Sequence, residues 1–297
     1  MTQERKGELY IFSGAITWSL FPIITILSYR SLPSMISLAL STFLASIIFF
    51  AIALYRKKLH ELKNPLLWKY IIGITVFIGI LYYAFGFYGL TKTTAGNASI
   101  IGLFEVFTSF VLFHIIRKEP FSLESKVGSA LMILGAATVL FPNFSSINSG
   151  DFFIFLATFC APLGNLLQQK AKKISSTETI LFLRSIIAAP FILLLAYVFK
   201  QNLELPQIKD SFIFLVINGI FILGLSKILW LEGISRISVT KANAIHSLAP
   251  LVTLFIAWIV LHQVPTIWQI ASLVPFFFGV LLLTNNLKLK YNYEPSN

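Results

Sequence analysis

Charged side chains are scarce in this chain: 12% of its 297 residues are Asp, Glu, Lys or Arg, against about 25% in an average soluble protein. Cysteine is scarcer still. Cys160 stands alone, so no disulfide can form within the chain and no cysteine cluster is available for a metal; its position in an apolar run reads as small buried packing. Also missing are the G-x-x-x-x-G-K-[ST] loop that cradles nucleotide phosphates, the H-E-x-x-H zinc helix, the G-x-S-x-G nucleophile elbow and any paired intramembrane aspartates. These absences argue against nucleotide-driven pumping and against a membrane-embedded enzyme. The longest polar connections, Pro142 to Asp151 and Lys200 to Asp210, are too short to fold alone, which argues against a receptor with its own ligand-binding domain.

Apolar side chains are abundant. They make up 57% of the chain and include 29 Phe, and the mean hydropathy is +0.82. Crossing a bilayer takes about 20 mostly apolar helical residues. Ten such runs follow one another: Leu9 to Tyr29, Ser34 to Tyr55, Leu67 to Leu90, Ala95 to Ile116, Lys126 to Phe141, Phe152 to Gln168, Thr179 to Phe199, Phe212 to Leu231, Ala242 to Leu261 and Ile267 to Thr284. The fifth, sixth and tenth are short. Barrel strands would alternate apolar and polar residues, whereas Ile186 to Phe199 is apolar on nearly every side. The first run is too long for a secretory signal and is followed by Tyr29-Arg30-Ser31 rather than a small-residue cleavage site. The expectation is an all-α integral membrane protein of ten transmembrane helices.

The chain also repeats itself. Gly89-Leu90-Thr91-Lys92 through Gly135 recurs 144 positions later, without a gap, as Gly233-Ile234-Ser235-Arg236 through Gly279; Ala98 falls on Ala242 and Glu119 on Gln263. This defines two halves, 1–145 and 146–297, of five helices each. Because five is odd, the second half crosses the membrane upside down relative to the first, giving an inverted repeat.

A formal net charge of +11 invites a nucleic-acid reading, which its distribution excludes, because the cations lie between apolar runs. With a cytoplasmic N-terminus, seventeen Lys and Arg fall on inner segments and four, Arg30, Lys92, Lys200 and Lys209, on outer ones. That bias predicts both termini in the cytoplasm, with the basic inner loops meeting anionic membrane lipids.

Gly14-Ala15-Ile16-Thr17-Trp18 in the first run, Tyr88-Gly89-Leu90 with Thr94 to Ala98 before the fourth, Glu119 followed by a Gly128-to-Gly135 helix, and Ala161 to Lys170 in the sixth together resemble the drug/metabolite transporter superfamily, specifically its ten-helix EamA family. The resemblance covers nearly the whole chain. It implies alternating access around a central cavity lined by both repeats, and substrates among amino acids, amines, other metabolites or toxic compounds. Two departures stand out. Many relatives have a proline in the middle of the fourth helix, where this chain reads Phe104-Glu105-Val106, and the acidic residue expected after the ninth is Gln263.

Candidate site residues are the polar groups inside apolar runs, since a charge at the bilayer centre costs about 2.5 to 3.5 kcal/mol. Glu105 lies near mid-membrane on a face with Ala98, Gly102 and Ser109, and is a candidate for substrate binding and for a coupling proton; pairing with Arg184 or Lys227 is the structural alternative. Lys227 is a candidate for the pathway, while Arg184 is expected to snorkel to the headgroups. Asn243, His246, Pro250 and Thr253 share one face of the ninth helix, with His246 a second coupling candidate. Asn165 in the sixth helix can bind a polar substrate or join helices, as can its neighbours Gln168 and Gln169. Trp18, Tyr82 and Tyr83 offer an aromatic wall with cation–π capacity. Glu232 and Arg236, one helical turn apart, are expected to pair. The expectation is a secondary transporter of a small polar metabolite, such as an amino acid or amine, in the cytoplasmic (inner) membrane, driven by substrate or ion gradients with protons a candidate coupling ion, and with no cofactor or metal. The alternatives are export of toxic compounds or drugs by the same fold, a channel, or a membrane protein without a transport role.

Overall fold

A computed structural model describes residues 2–29, 31–117, 122–140, 148–202, 205–284 and 287. Arg30, Lys118, Glu119, most of the 142–151 connection and the basic tail at Lys288 and Lys290 lie outside the described residues. Among the described residues, nine helices are long and apolar enough to cross a membrane: α1 (Gln3–Ser28), α2 (Ser34–Tyr55), α3 (Pro65–Gly89), α4 (Ala95–Ile116), α5 (Leu123–Leu140), α6 (Ser149–Lys172), α7 (Thr177–Val198), α8 (Pro206–Ile234) and α9 (Lys241–Leu261). A tenth, α10 (Ile267–Leu283), is apolar and shorter.

Local chemistry sets where these helices start. Side chains at the first turn accept the amide hydrogens that have no partner inside a helix. Thr94 Oγ1 accepts from Asn97 N at 3.1 Å, Ser238 Oγ from Lys241 N at 3.2 Å, and Thr266 closes a reciprocal capping box with Gln269. Asn148 caps α6 through Gly150 N at 2.8 Å, so α6 begins before Phe152 and runs on through Lys172. The short sixth span expected from hydropathy is therefore corrected. Its polar end residues stay helical because they make contacts with other helices.

The duplication is written in the irregularities of the helices. Thr94 and Ser238 cap the same position of each half, 144 residues apart. Helix α4 breaks at Leu103, between Ala95–Gly102 and Phe104–Arg117, and the ninth helix breaks at the equivalent Ser247, between Val239–His246 and Ala249–Leu261. Both α3 and α8 widen midway into π-helical turns, Thr75–Tyr82 and Ile217–Leu225, a feature often found where a helix borders a functional site. Helix α1 is interrupted at Leu20, where Pro22 cannot donate an amide hydrogen.

Packing repeats the same symmetry. α2 lies along α7, and α5 along α10, each helix meeting its own counterpart. α1 crosses α8 where Gly7 meets Gly233, and α6 crosses α3 where Gly150 meets Gly89. These crossings are close. A Cβ built on Gly150 would lie 2.7 Å from the Gly89 carbonyl oxygen, and one on Gly233 would lie 2.4 Å from Ile11 Cδ1. The helices thus form two inverted five-helix halves around a common centre.

The bundle ends are tied by polar contacts. At the end bearing the N-terminus, Lys241 Nζ reaches Glu4 at 2.5 Å and Glu8 at 2.6 Å, and Glu232 binds Lys172 at 2.7 Å, Arg236 at 2.5 Å and Thr177. At the opposite end, Asp151 accepts from Thr93 and from Asn97 Nδ2, and Gln263 Oε1 accepts from Ala95 N at 3.0 Å. The pairing of Glu232 with Arg236 is as expected, and Lys172 extends it.

Candidate functional site

The breaks in α1, α4 and α9 and the π turn of α3 border one central cavity. Its walls come from α1, α3, α4, α6, α7, α8 and α9, hence from both halves. Glu105, Lys227, Asn165, Asn243, His246, Trp18 and Tyr83 all line it, as do Tyr82, Gln168, Pro250 and Trp230.

Glu105 enters from the second piece of α4, two residues past the break at Leu103. Its Oε1 accepts from Asn165 Nδ2 at 3.2 Å. The Asn165 carbonyl oxygen accepts in turn from Gln168 Nε2 and from Trp230 Nε1, both at 3.1 Å. Two donors on that oxygen fix the amide so that its NH₂ points at Glu105. An indole and two amides therefore orient the carboxylate without neutralising it.

The two cations sit on aromatic faces. Lys227 Nζ is 3.2 Å from the ring centroid of Trp18, and the Arg184 guanidinium carbon is 5.8 Å from that of Tyr83. Trp18 and Tyr83 meet edge to face at 6.4 Å, and Trp18 stacks on Phe21 at 4.3 Å. The cations thus flank one aromatic pair. Attraction to the ring quadrupole holds them there while leaving their N–H groups for other partners. No carboxylate comes within 4.0 Å of Lys227 or Arg184 among the described residues, so Glu105 is not held in a direct ion pair, although it and Lys227 attract each other at longer range.

Arg184 corrects the expectation of snorkelling. It is 3% exposed and turns into the cavity, because Tyr83 and the widened turn of α3 leave it space there. Its charge in an apolar run was the sequence signal. Depth along α7 alone did not say which way it pointed.

The ninth-helix face is also corrected. Thr253 is fully buried and does not line the cavity; its hydroxyl donates to the Ser19 carbonyl at 2.8 Å. The break at Ser247 rotates the second piece of the helix, so helical spacing across it no longer predicts a shared face. Asn243 and His246 stay on the cavity wall, with Asn243 Nδ2 donating to Ser109 Oγ at 3.2 Å and His246 edge-on to Trp230 at 5.5 Å. Ser109 is thereby drawn away from the Glu105 face. Gln168 faces the cavity, whereas Gln169 Nε2 bonds the Ile234 carbonyl at 3.1 Å and joins α6 to α8.

A polar cavity enclosed by two inverted halves of an apolar bundle is the architecture of a membrane carrier. The family model of the EamA-like transporter family matches residues 5–141 and again 148–285, and the chain belongs to that family. An uncharacterized transporter of Methanothermobacter thermautotrophicus is 29% identical over 209 residues, 67% of this chain and 60% of its own length. The chain thus spans 60% of that relative. Uncharacterized transporter YoaV of Bacillus subtilis is 19% identical over 283 residues, covering 94% of this chain and 97% of its own. A solved crystal structure shares the fold with a TM-score of 0.73 at 17% identity, over 95% of this chain and 98% of that one. The protein is a multi-pass membrane protein of the EamA-like transporter family.

Proposed function

We propose that the protein is a secondary carrier that moves a small polar metabolite across the cytoplasmic membrane by alternating access, with both termini in the cytoplasm. The observation that carries this reading is the central cavity, whose polar groups come from both repeats and whose walls are the broken and widened helices. Helix breaks supply hinges, and an inverted repeat allows one half to rock against the other so that the same cavity faces each side in turn. Substrate recognition is assigned to Glu105, Lys227, Asn165, Asn243, His246, Trp18 and Tyr83, with Arg184 added by its position. Glu105 and His246 are the coupling candidates. In the absence of a nucleotide-binding loop, gradients of substrate or ion supply the energy.

Counterflow tests the reading. Liposomes containing the purified protein and preloaded with unlabelled substrate are expected to take up labelled substrate transiently above equilibrium, with saturable rates. Linear, non-saturating flux without counterflow would identify a pore and overturn the carrier reading.

A further inference from the structure

We propose that the carried molecule is an organic anion, bound with its oxyanion group between Lys227 and Arg184 while Glu105 carries a proton. The proposal rests on the carrier reading and assigns the substrate class of the same cavity.

The first argument is a contrast in pairing. At the bundle ends, Glu232, Glu4, Glu8, Glu61 and Glu178 each have a cation within 4.0 Å. In the cavity, where an unpaired charge is far more costly, Lys227 rests on the Trp18 ring and Arg184 on that of Tyr83, neither has a carboxylate within 4.0 Å among the described residues, and Glu105 accepts from an amide and is attracted to Lys227 only at a distance. The cavity is left short of an anion.

The second argument is charge balance. Two cations and one carboxylate line the cavity, an excess of positive charge when all three are ionised and a larger excess when Glu105 is protonated. A monoanion cancels the excess in the first case and halves it in the second, whereas a cation adds to it. Placement agrees with this balance. Lys227 and Arg184 sit on the two adjoining rings of the Trp18–Tyr83 pair, so an oxyanion between the cations can accept from both, while Asn165 holds Glu105 separately.

Coupling follows by linkage. Removing the negative charge of Glu105 strengthens binding of an anion nearby, and by reciprocity the bound anion strengthens proton binding at Glu105. The proton, drawn from solvent, and the anion therefore travel together. The other titratable or charged groups that line the cavity with Glu105 are Tyr82 and Tyr83 on α3, Arg184 on α7, Lys227 on α8 and His246 on the ninth helix.

The test uses the full-length purified protein and two sets of probes matched in carbon skeleton: isocaproate, L-leucine and isoamylamine, and ethanesulfonate, taurine and ethylamine. The anion of each set is expected to bind tightest by calorimetry. Affinity for ethanesulfonate, a strong acid whose own charge is constant, is expected to rise as pH falls. Glu105→Gln should bind ethanesulfonate as tightly as the wild type does at low pH, with no pH dependence. Lys227→Met and Arg184→Gln should each lose about tenfold or more in anion affinity, and Lys227→Arg and Arg184→Lys, which keep the charge, separate this loss from misfolding. Tighter binding of the amines, with loss in Glu105→Gln, would overturn the anion assignment and leave the carrier reading intact, as would preference for the zwitterions. Failure of every anion to bind overturns it too. The carrier reading itself falls only if no compound of any charge shows counterflow.

Discussion

Glu105 and Glu61 show how the same carboxyl group serves two ends. Glu105 has one amide donor and no cation within 4.0 Å among the described residues, an arrangement that stores electrostatic cost at the cavity. Glu61, outside the membrane-spanning helices, is saturated with donors: Ser175 Oγ and Ser176 N at 2.7 Å and Ser176 Oγ at 2.8 Å. Burial alone would raise its pKa, but these hydrogen bonds outweigh burial and hold it at about 2 against the ordinary 4.5. A folded value below the unfolded one means that the carboxylate stabilises the fold above the ordinary pKa. That stability is lost as pH falls through the window from about 4.5 to about 2. Glu61→Gln is therefore expected to melt at a lower temperature than wild type at neutral pH, with the difference shrinking across that window. A difference that does not change with pH would mean that shape rather than charge is at stake.

Among the helices, close backbone crossings and open cavity walls place opposite demands on glycine. A Cβ on Gly150 would meet the Gly89 carbonyl oxygen and the Lys92 carbonyl carbon at 2.7 Å and Thr93 N at 2.9 Å, all backbone atoms, whereas one on Gly102 meets nothing within 4 Å. Gly150→Ala is expected to cost about 1–3 kcal/mol through overpacking, and Gly102→Ala to leave folding unchanged. Thermal unfolding in detergent measures both; equal effects would mean that the α3–α6 crossing gives way without cost. Thr253 belongs to the same scale. Its hydroxyl binds the Ser19 carbonyl beside the interruption of α1, so a polar residue that helical spacing placed on the cavity instead joins the ninth helix to α1.

For the molecule as a whole, inversion makes each end of the bundle a rearranged copy of the other. Lys241 with Glu8 at one end and Asn97 with Asp151 at the other join equivalent helices of opposite halves, one through an ion pair and the other through an amide. The cationic bias predicts which end is which. Reporter fusions that fluoresce only in the cytoplasm are expected to place both termini and the 56–63 connection inside and the 143–150 connection outside. A C-terminus on the outer side would contradict an even number of crossings and, with it, the inverted repeat.

The sequence by itself determined the class, the helix count and the duplication, because bilayer solvation acts on composition over whole segments and a gapless 144-residue offset survives as residue identities. It also picked out Glu105, Lys227, Asn165, Asn243, His246, Trp18 and Tyr83, since polar groups in apolar runs are conspicuous wherever they point. The tertiary structure decided their company. Whether Arg184 reaches headgroups or a cavity, whether Thr253 faces ligand or a broken helix, and whether Glu105 meets a cation or an amide depend on the rotation of each helix about its axis. Breaks at Leu103 and Ser247 and the π turns of α3 and α8 reset that rotation midway. Periodicity reads one turn from the next only while the helix is regular, so the directions of side chains beyond a break are set by packing between helices far apart in the chain.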